Sequence, residues 1–410
     1  MRLAYLVSQY PSVTHTFILR EIRALRELGF EIDVISIRPP DRPKQQLSDV
    51  EREELARTFT VLSAGVAGTL SAHVATFVRR PVSYLAGMWM AVRLAQANLP
   101  KIFSNLLYFA EAVVAGRQMQ RRGLLHLHTH FASTVALLVA RVFPITFSAT
   151  IHGPDEFSDV AGFYIAEKVA RARFICGISQ YALSQLMKAS TEEHWSKLEV
   201  CALGVDPSVF LPDVVQKSPH RGRPDRIELL CVGRLAAAKA QHILLAAVDR
   251  LVRDGRRSLH LRLVGDGPER AALERTVAER GLQNNVTLEG ACNQSRVLEF
   301  YRQADLFVLA SFAEGVPVVL MEAMAMEIPC VSTWVTGIPE LIRHGVDGWL
   351  IPPADDEQLA AAIALLADDA ELRQKLGKSA RARVEEKYNL ALNTARLSEI
   401  YRRRLSIADK

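Results

Sequence analysis

The chain has 410 residues, enough for two or three domains of ordinary size, and at 49% hydrophobic and 23% charged it is too apolar for a disordered polymer. Its formal charge of +5 is too weak to suggest a nucleic-acid binder. The five cysteines, Cys176, Cys201, Cys231, Cys292 and Cys330, are odd in number and form no Cys-x-x-Cys pair, which points away from a disulfide framework or zinc knuckle and toward a reducing cytoplasm.

The opening run MRLAYLVSQYPS lacks the apolar core and small-residue cleavage site of an export signal, and it reads as a strand that begins a domain. A strand over 3–7, a loop over 8–16, an amphipathic helix ending at Gly29 and a strand over 31–37 make a βαβ unit. Strands over 124–128, 146–151 and 174–178 alternate with helices over 133–142 and 164–171, the pattern of a parallel sheet covered by helices.

Residues 61–123 interrupt this alternation with a helical, aromatic-containing stretch. It carries seven basic residues, Arg79, Arg80, Arg93, Lys101, Arg117, Arg121 and Arg122, against the single acid Glu111. Its uncharged run over 61–78 is diluted by Ser63, Gly65, Gly68, Thr69, Ser71, His73 and Thr76 below the hydropathy of a spanning helix. Basic charge interleaved with Phe77, Tyr84, Trp89, Phe103, Tyr108 and Phe109 suits an anionic membrane surface; helices packed on the sheet with a solvated basic face are the other reading.

A proline- and charge-rich segment over 206–226 marks a linker, so the first domain is expected over 1–205. A second alternation follows over 227–389, with strands over 228–232, 259–264, 286–288 and 305–309 and helices over 241–254, 268–280 and 296–304. A helix within 390–410 closes the chain.

Five motifs carry the chemistry. In SFAEGVPVVLMEAMAMEIPCVST, residues 311–333, Glu314 lies in a loop after a buried strand and Glu322 one or two turns into the next helix, with Gly315 and Pro317 between them. The free amides of such a helix start suit a phosphate, and flanking carboxylates suit adjacent hydroxyls, a layout matching a nucleotide sugar; a surface glutamate plus a helix-dipole glutamate is the plainer reading. In VGRLAAAKAQHILL, Gly233 ends a strand, and Arg234 and Lys239 place cations where a leaving diphosphate gains charge. LVGDGPER sets Gly265 and Gly267 at another strand end, a weak nucleotide signal by itself. HLHTHFA and TIHGPDEF supply His126, His128, His130 and His152 at strand ends, where a metal site and a histidine-lined cleft are both conceivable, and no Asp-x-Asp occurs.

Together these motifs closely resemble, over nearly the whole chain, the family 4 glycosyltransferases of the GT-B fold. The N-terminal YPSVTHTF resembles a subgroup that builds bacterial exopolysaccharides, colanic acid among them. The resemblance implies an α/β architecture of two Rossmann-like domains facing across a cleft, with the last helix crossing back to the first domain. It implies retaining transfer of a hexose from a nucleotide diphosphate sugar to a lipid-linked saccharide acceptor.

By that resemblance Glu314 holds donor-sugar hydroxyls, the amides of Gly315, Val316 and Val318 beside Pro317 meet sugar and diphosphate, and Glu322 holds the ribose. Arg234 and Lys239 clamp the diphosphate next to Gly233. Gly265 with Asp266, and Gly290 with Ala291, lie near the nucleoside. His152 reaches the sugar, and Tyr10, Thr14, His15 and Thr16 face the acceptor or diphosphate. No metal or cofactor is expected beyond the donor substrate, nor any nucleic acid; the location expected is cytoplasmic, with peripheral contact to the inner membrane face.

Family members commonly carry Gly where this chain has Ala240 and Glu327, and many carry a Gly-Gly pair that its N-terminal loop lacks. A non-catalytic nucleotide-sugar-binding subunit and a two-domain epimerase are the competing functions; a dinucleotide oxidoreductase is disfavoured by the incomplete glycine fingerprint.

Overall fold

The structure, a computed structural model, describes residues 1–212, 226–256 and 258–406, and Thr14 by its backbone alone. Residues 213–225 of the expected linker, the Thr14 side chain and residues 407–410 of the expected last helix lie outside that description. Backbone contacts divide the chain into two units, one of Met1–Cys201 with the residues from Thr394 onward, the other Ala202–Asn393.

In the first unit seven strands form one parallel sheet: β1 (Arg2–Gln9), β2 (Glu31–Arg38), β3 (Phe59–Thr60), β4 (His126–His130), β5 (Thr146–Ile151), β6 (Ile175–Gly177) and β7 (Leu198–Val200), in the order β3-β2-β1-β4-β5-β6-β7. The near-continuous apolar runs of β1 and β2 follow from helices covering both faces. Helix Thr16–Glu27 buries Ile18, Ile22 and Leu25 on one stripe and is closed by Gly29 at φ +86, as its sequence implies.

Strand β4 starts two residues later than expected and runs on to His130, because it pairs with β5 from His126↔Thr146 to His130↔Thr150. All three histidines therefore point to one buried face, opposite a hydroxyl at every second position of β5. His126 bridges Thr146 and Ser148 (2.8 and 2.9 Å), and His128 bridges Ser148 and Thr150 (2.8 and 2.9 Å). His130 continues the ladder to His152 Nε2 (2.7 Å) and Glu21 (3.2 Å). Tyr5 donates to Glu21 (2.8 Å) and lies 2.8 Å from the hydroxyl of Tyr401, which helix Leu390–Ser406 brings to this core.

The second unit has six parallel strands, β8 (Ile227–Val232), β9 (Leu259–Val264), β10 (Val286–Gly290), β11 (Leu306–Leu309), β12 (Cys330–Thr333) and β13 (Trp349–Ile351), in the order β10-β9-β8-β11-β12-β13. In both sheets the winding reverses beside the first strand, at β1 and at β8. Outside the carboxyl ends of strands at such a switch point, diverging loops leave room for a ligand. Helix Val318–Ala325 ends with Glu327 N bonded to Met324 O (3.1 Å) and Ile328 N to Ala323 O (3.0 Å), which places Glu327 at φ 57.

Two expectations follow. Burial, helped by Arg173, pushes His126 down to about 3, and burial with neighbouring histidines holds His128 well below the usual imidazole range. Because the folded values lie below the unfolded 6.5, this stability is complete above pH 6.5 and is lost as pH falls toward 3, by about 1.4 kcal/mol per pH unit for each imidazole; denaturant titrations between pH 7 and 4 should show that slope. Glu327→Gly relieves a left-handed side chain at the cost of chain entropy, a net gain of about 0.5–1 kcal/mol readable as a higher denaturation midpoint.

Candidate functional site

Apart from His152, the residues expected on the donor side fall in the second unit: in the loops after β8, β9, β10 and β11, at the end of β10, and in helix Val318–Ala325. These loops are stitched by their backbones: Gly233 N to Val264 O (2.9 Å), Leu235 N to Asp266 O (3.0 Å), Gly265 N to Gly290 O (2.9 Å) and Phe312 N to Ala238 O (2.8 Å). Two glycines make the approach feasible. A Cβ on Gly265, at φ +140, would stand 1.9 Å from Gly233 O, and one on Gly337 would stand 1.9 Å from Gly315 O.

Glu314 is buried in this cradle. Its Oε1 accepts from Lys239 Nζ (2.5 Å) and Ser311 Oγ (2.6 Å), and its amide donates to Thr336 Oγ1 (3.0 Å), whose hydroxyl returns to the Glu314 carbonyl. Oε2 has no partner among the described residues, so one oxygen is fixed by a cation while the other can accept a ligand hydroxyl. Lys239 closes the short turn Ala237–Lys239. It is followed by Ala240 at φ 49, one of the positions where the family commonly has glycine.

Arg234 is exposed and its guanidinium has no carboxylate partner among the described residues, while the buried Gln241 side chain donates to the Arg234 carbonyl (3.0 Å) and fixes the loop. Pro317 stands one position before the helix rather than in its first turn, with φ −69 and ψ 119. Its rigid φ sets the approach, and the amides of Val318 and Val319 begin the helix beside Gly315 and Val316. Glu322, the fifth helical residue, is buried with Tyr301 OH 3.1 Å from Oε2. Asp266 is exposed and accepts from Gly267 N (2.7 Å); Gly290 ends β10, and Ala291 is exposed after it.

The remaining predicted residues lie in the first unit. His152 follows β5, its ring stacked 4.6 Å from Phe131 and its backbone amide bound to Glu156 Oε2 (2.8 Å). Burial, with His130 and His15 nearby, holds its pKa well below the ordinary value, so the ring is neutral and its contacts are hydrogen bonds. Its Nδ1 is buried with no partner among the described residues, whereas Nε2 is engaged by His130.

His15, stacked 4.6 Å from Phe131, stands immediately before helix Thr16–Glu27 without a side-chain hydrogen bond to its first turn, and Thr16 is that helix's half-buried first residue. Tyr10 departs from the expectation that it faces a ligand: it is fully buried, with its hydroxyl bonded to Glu54 (2.9 Å), so its ring and hydroxyl anchor the loop from inside.

Sequence reasoning missed the supporting residues Glu21, Gln241, Tyr301, Ser311 and Thr336. The alternate hydroxyls of Thr146, Ser148 and Thr150 were a legible sign of the ladder, as was Glu21 on the inward stripe of its helix. Ligand-capable atoms of Glu21, His128 and His130 lie within 4.8 Å of one another, but each ring nitrogen already has a hydrogen-bond partner, and the polar ladder accounts for them.

Residues 215–383 match the family described as Glycosyl transferases group 1. The chain is 25% identical to the amylovoran biosynthesis glycosyltransferase AmsK of Erwinia amylovora, covering 98% of this chain and 100% of that one. It is 26% identical to the putative colanic acid biosynthesis glycosyltransferase WcaL of Escherichia coli, covering 95% and 96%. Among solved structures, sucrose-phosphate synthase of Thermosynechococcus elongatus superposes with a TM-score of 0.77 at 20% identity, over 99% of this chain and all of that one. Anabaena HepE in complex with UDP superposes with a TM-score of 0.71 at 17% identity, over 98% and 99%. The matched region, the fold and the full-length relatives agree: the chain is a glycosyltransferase of the GT-B fold whose residues 215–383 match the group 1 glycosyl transferases, and it is similar along its length to glycosyltransferases of exopolysaccharide biosynthesis.

Proposed function

We propose that this glycosyltransferase moves a hexose from a nucleotide diphosphate sugar to a lipid-linked saccharide during assembly of a bacterial cell-surface polysaccharide, with the anomeric configuration retained. The observation that carries the reading is Glu314, with one oxygen held by Lys239 and Ser311 and the other unpartnered among the described residues, in the cradle where the sheet's winding reverses. A solved relative of the same fold, Anabaena HepE, is described in complex with UDP-glucose.

In this reading Glu314 Oε2 accepts donor-sugar hydroxyls and Glu322 those of the ribose. Arg234, Lys239 and the amides at the start of helix Val318–Ala325 oppose the charge that grows on the diphosphate as the C1–O bond breaks. The acceptor oxygen bonds to C1, and its proton passes to an oxygen of the departing diphosphate. His152 orients the sugar through the bare Nδ1, and the loop bearing His15 and Thr16 meets the acceptor. Cations and helix amides supply the counter-charge, so no metal or cofactor is called for. In the same reading the reaction runs at the cytoplasmic membrane face with the protein held peripherally, which the basic stretch over 61–123 supports; among the described residues no helix is long and apolar enough to cross a membrane.

Melting the protein with a panel of nucleotide diphosphates and their sugars tests the donor site, since a ligand that binds only the folded state raises the midpoint by mass action. A rise with one base identifies the donor class, and no rise with any of them counts against the site. Glu314→Gln and Lys239→Ala should each lower transfer by about 10²–10³-fold while the protein still folds, the lysine change at a cost in melting point because it leaves the buried Glu314 without its cation. Near wild-type turnover removes the residue from the assignment, and a melting shift without turnover on any acceptor favours a non-catalytic binding subunit. Transfer should survive a chelator; its loss would bring a metal into the site.

A further inference from the structure

More than half of the large apolar side chains that the described residues leave exposed fall between Leu62 and Tyr108. They are ordered by helical periodicity. Helix Gly65–Arg79 exposes Val66, Leu70, Val74 and Phe77, at intervals of four, four and three; helix Pro81–Leu94 exposes Val82, Leu85, Trp89 and Val92, at three, four and three. Helix Leu99–Arg121 continues the pattern with Leu99, Phe103 and Leu107 before turning inward at Phe109 and Val113. The opposite faces already pack on the domain: Ala72 and Thr76 from the first helix and Gly87, Met90, Ala91 and Leu94 from the second are buried. These helices are apolar on both sides, and only one side is covered.

The charge around the stripes has one sign. No acidic residue occurs from Val61 to Ala110. Arg79 and Arg80 stand at the junction of the first two helices, and Arg93 lies over the Trp89 ring, 5.4 Å from its centroid. None of these three has a carboxylate partner among the described residues. A second copy of this chain would bring the same cations and no compensating acid to such a face, whereas an anionic lipid surface supplies both the missing charge and an apolar layer.

We infer that the outer faces of helices Gly65–Arg79 and Pro81–Leu94, with the first turns of helix Leu99–Arg121, insert into the headgroup and upper acyl layer of an anionic bilayer, with Arg79, Arg80 and Arg93 on lipid phosphates. The protein is held by apolar insertion as well as by charge, lying in the interface without spanning it. This deepens the reading of a lipid-linked acceptor. Vesicle binding is measured without sugar nucleotide, so its failure leaves the donor site standing, and failure of the donor site leaves the docking face standing.

The full chain is sedimented with vesicles of phosphatidylglycerol and phosphatidylethanolamine, and separately with phosphatidylcholine vesicles. It should pellet with the anionic vesicles and stay partly bound in about 0.5 M salt, because insertion is not screened. Trp89→Ser combined with Phe103→Ser should weaken partitioning by about tenfold or more, and Arg79→Glu with Arg93→Glu should abolish the preference for anionic lipid. All four side chains are exposed, and unchanged melting curves check that the variants fold. Wild-type protein that stays in the supernatant, complete release by salt, or serine variants that bind like wild type would each overturn the inference. So would a lipid-free dimer, seen by light scattering, that the serine substitutions dissociate while vesicle binding is absent: the face would then belong to a second copy.

Discussion

Backbone can approach backbone to within hydrogen-bonding reach of its carbonyls only where no Cβ stands between, and the cradle around Glu314 rests on two such approaches. Gly265 admits the Gly233 carbonyl to the end of β9, and Gly337 admits the Gly315 carbonyl beside the glutamate loop. These contacts draw loops from neighbouring strands together, so that Lys239 reaches Glu314, 75 positions further along the chain, at 2.5 Å. A methyl group at either glycine would overlap a carbonyl oxygen. The chemistry of the second unit thus depends on side chains that are missing as much as on those present.

Buried charge is managed differently in the two units. Glu314 keeps its carboxylate out of bulk water because Lys239 and Ser311 together replace the lost hydration at one oxygen. In the first unit the same problem is met mostly by neutral groups. A column of imidazoles shares hydrogen bonds with hydroxyls across two strands and ends on Glu21, which also accepts from Tyr5. That column reaches His152 and engages its Nε2, so residues deep in the core decide which ring nitrogen is left without a partner among the described residues.

Several positions were readable from the chain alone. Gly29 ends its helix in the left-handed region its residue type favours, and the loop-then-helix placement of Glu314 and Glu322 follows from a buried strand, a glycine, a proline and an apolar run. Ala240 and Glu327, at positions where family members commonly carry glycine, occupy the left-handed conformation despite their side chains. Tyr10 was expected to face a ligand by resemblance of its loop, and the partner Glu54, 44 residues away, turns its hydroxyl inward instead. The β4 boundary was misplaced for a similar reason: its pairing with β5, not its own composition, decides where it starts and stops.

Sequence by itself determined the fold class, much of the alternation of strands and helices, and the loop-then-helix placement of Glu314 and Glu322. Each of these is written in local periodicity, in glycine and proline placement, or in the chemistry of one side chain. Tertiary structure alone decided which oxygen of Glu314 is occupied, which nitrogen of His152 is engaged, that Tyr10 faces inward, and that three helices keep a second apolar face uncovered. Those outcomes depend on partners brought from distant parts of the chain by sheet register and helix packing, and no spacing along the sequence encodes the distance between them.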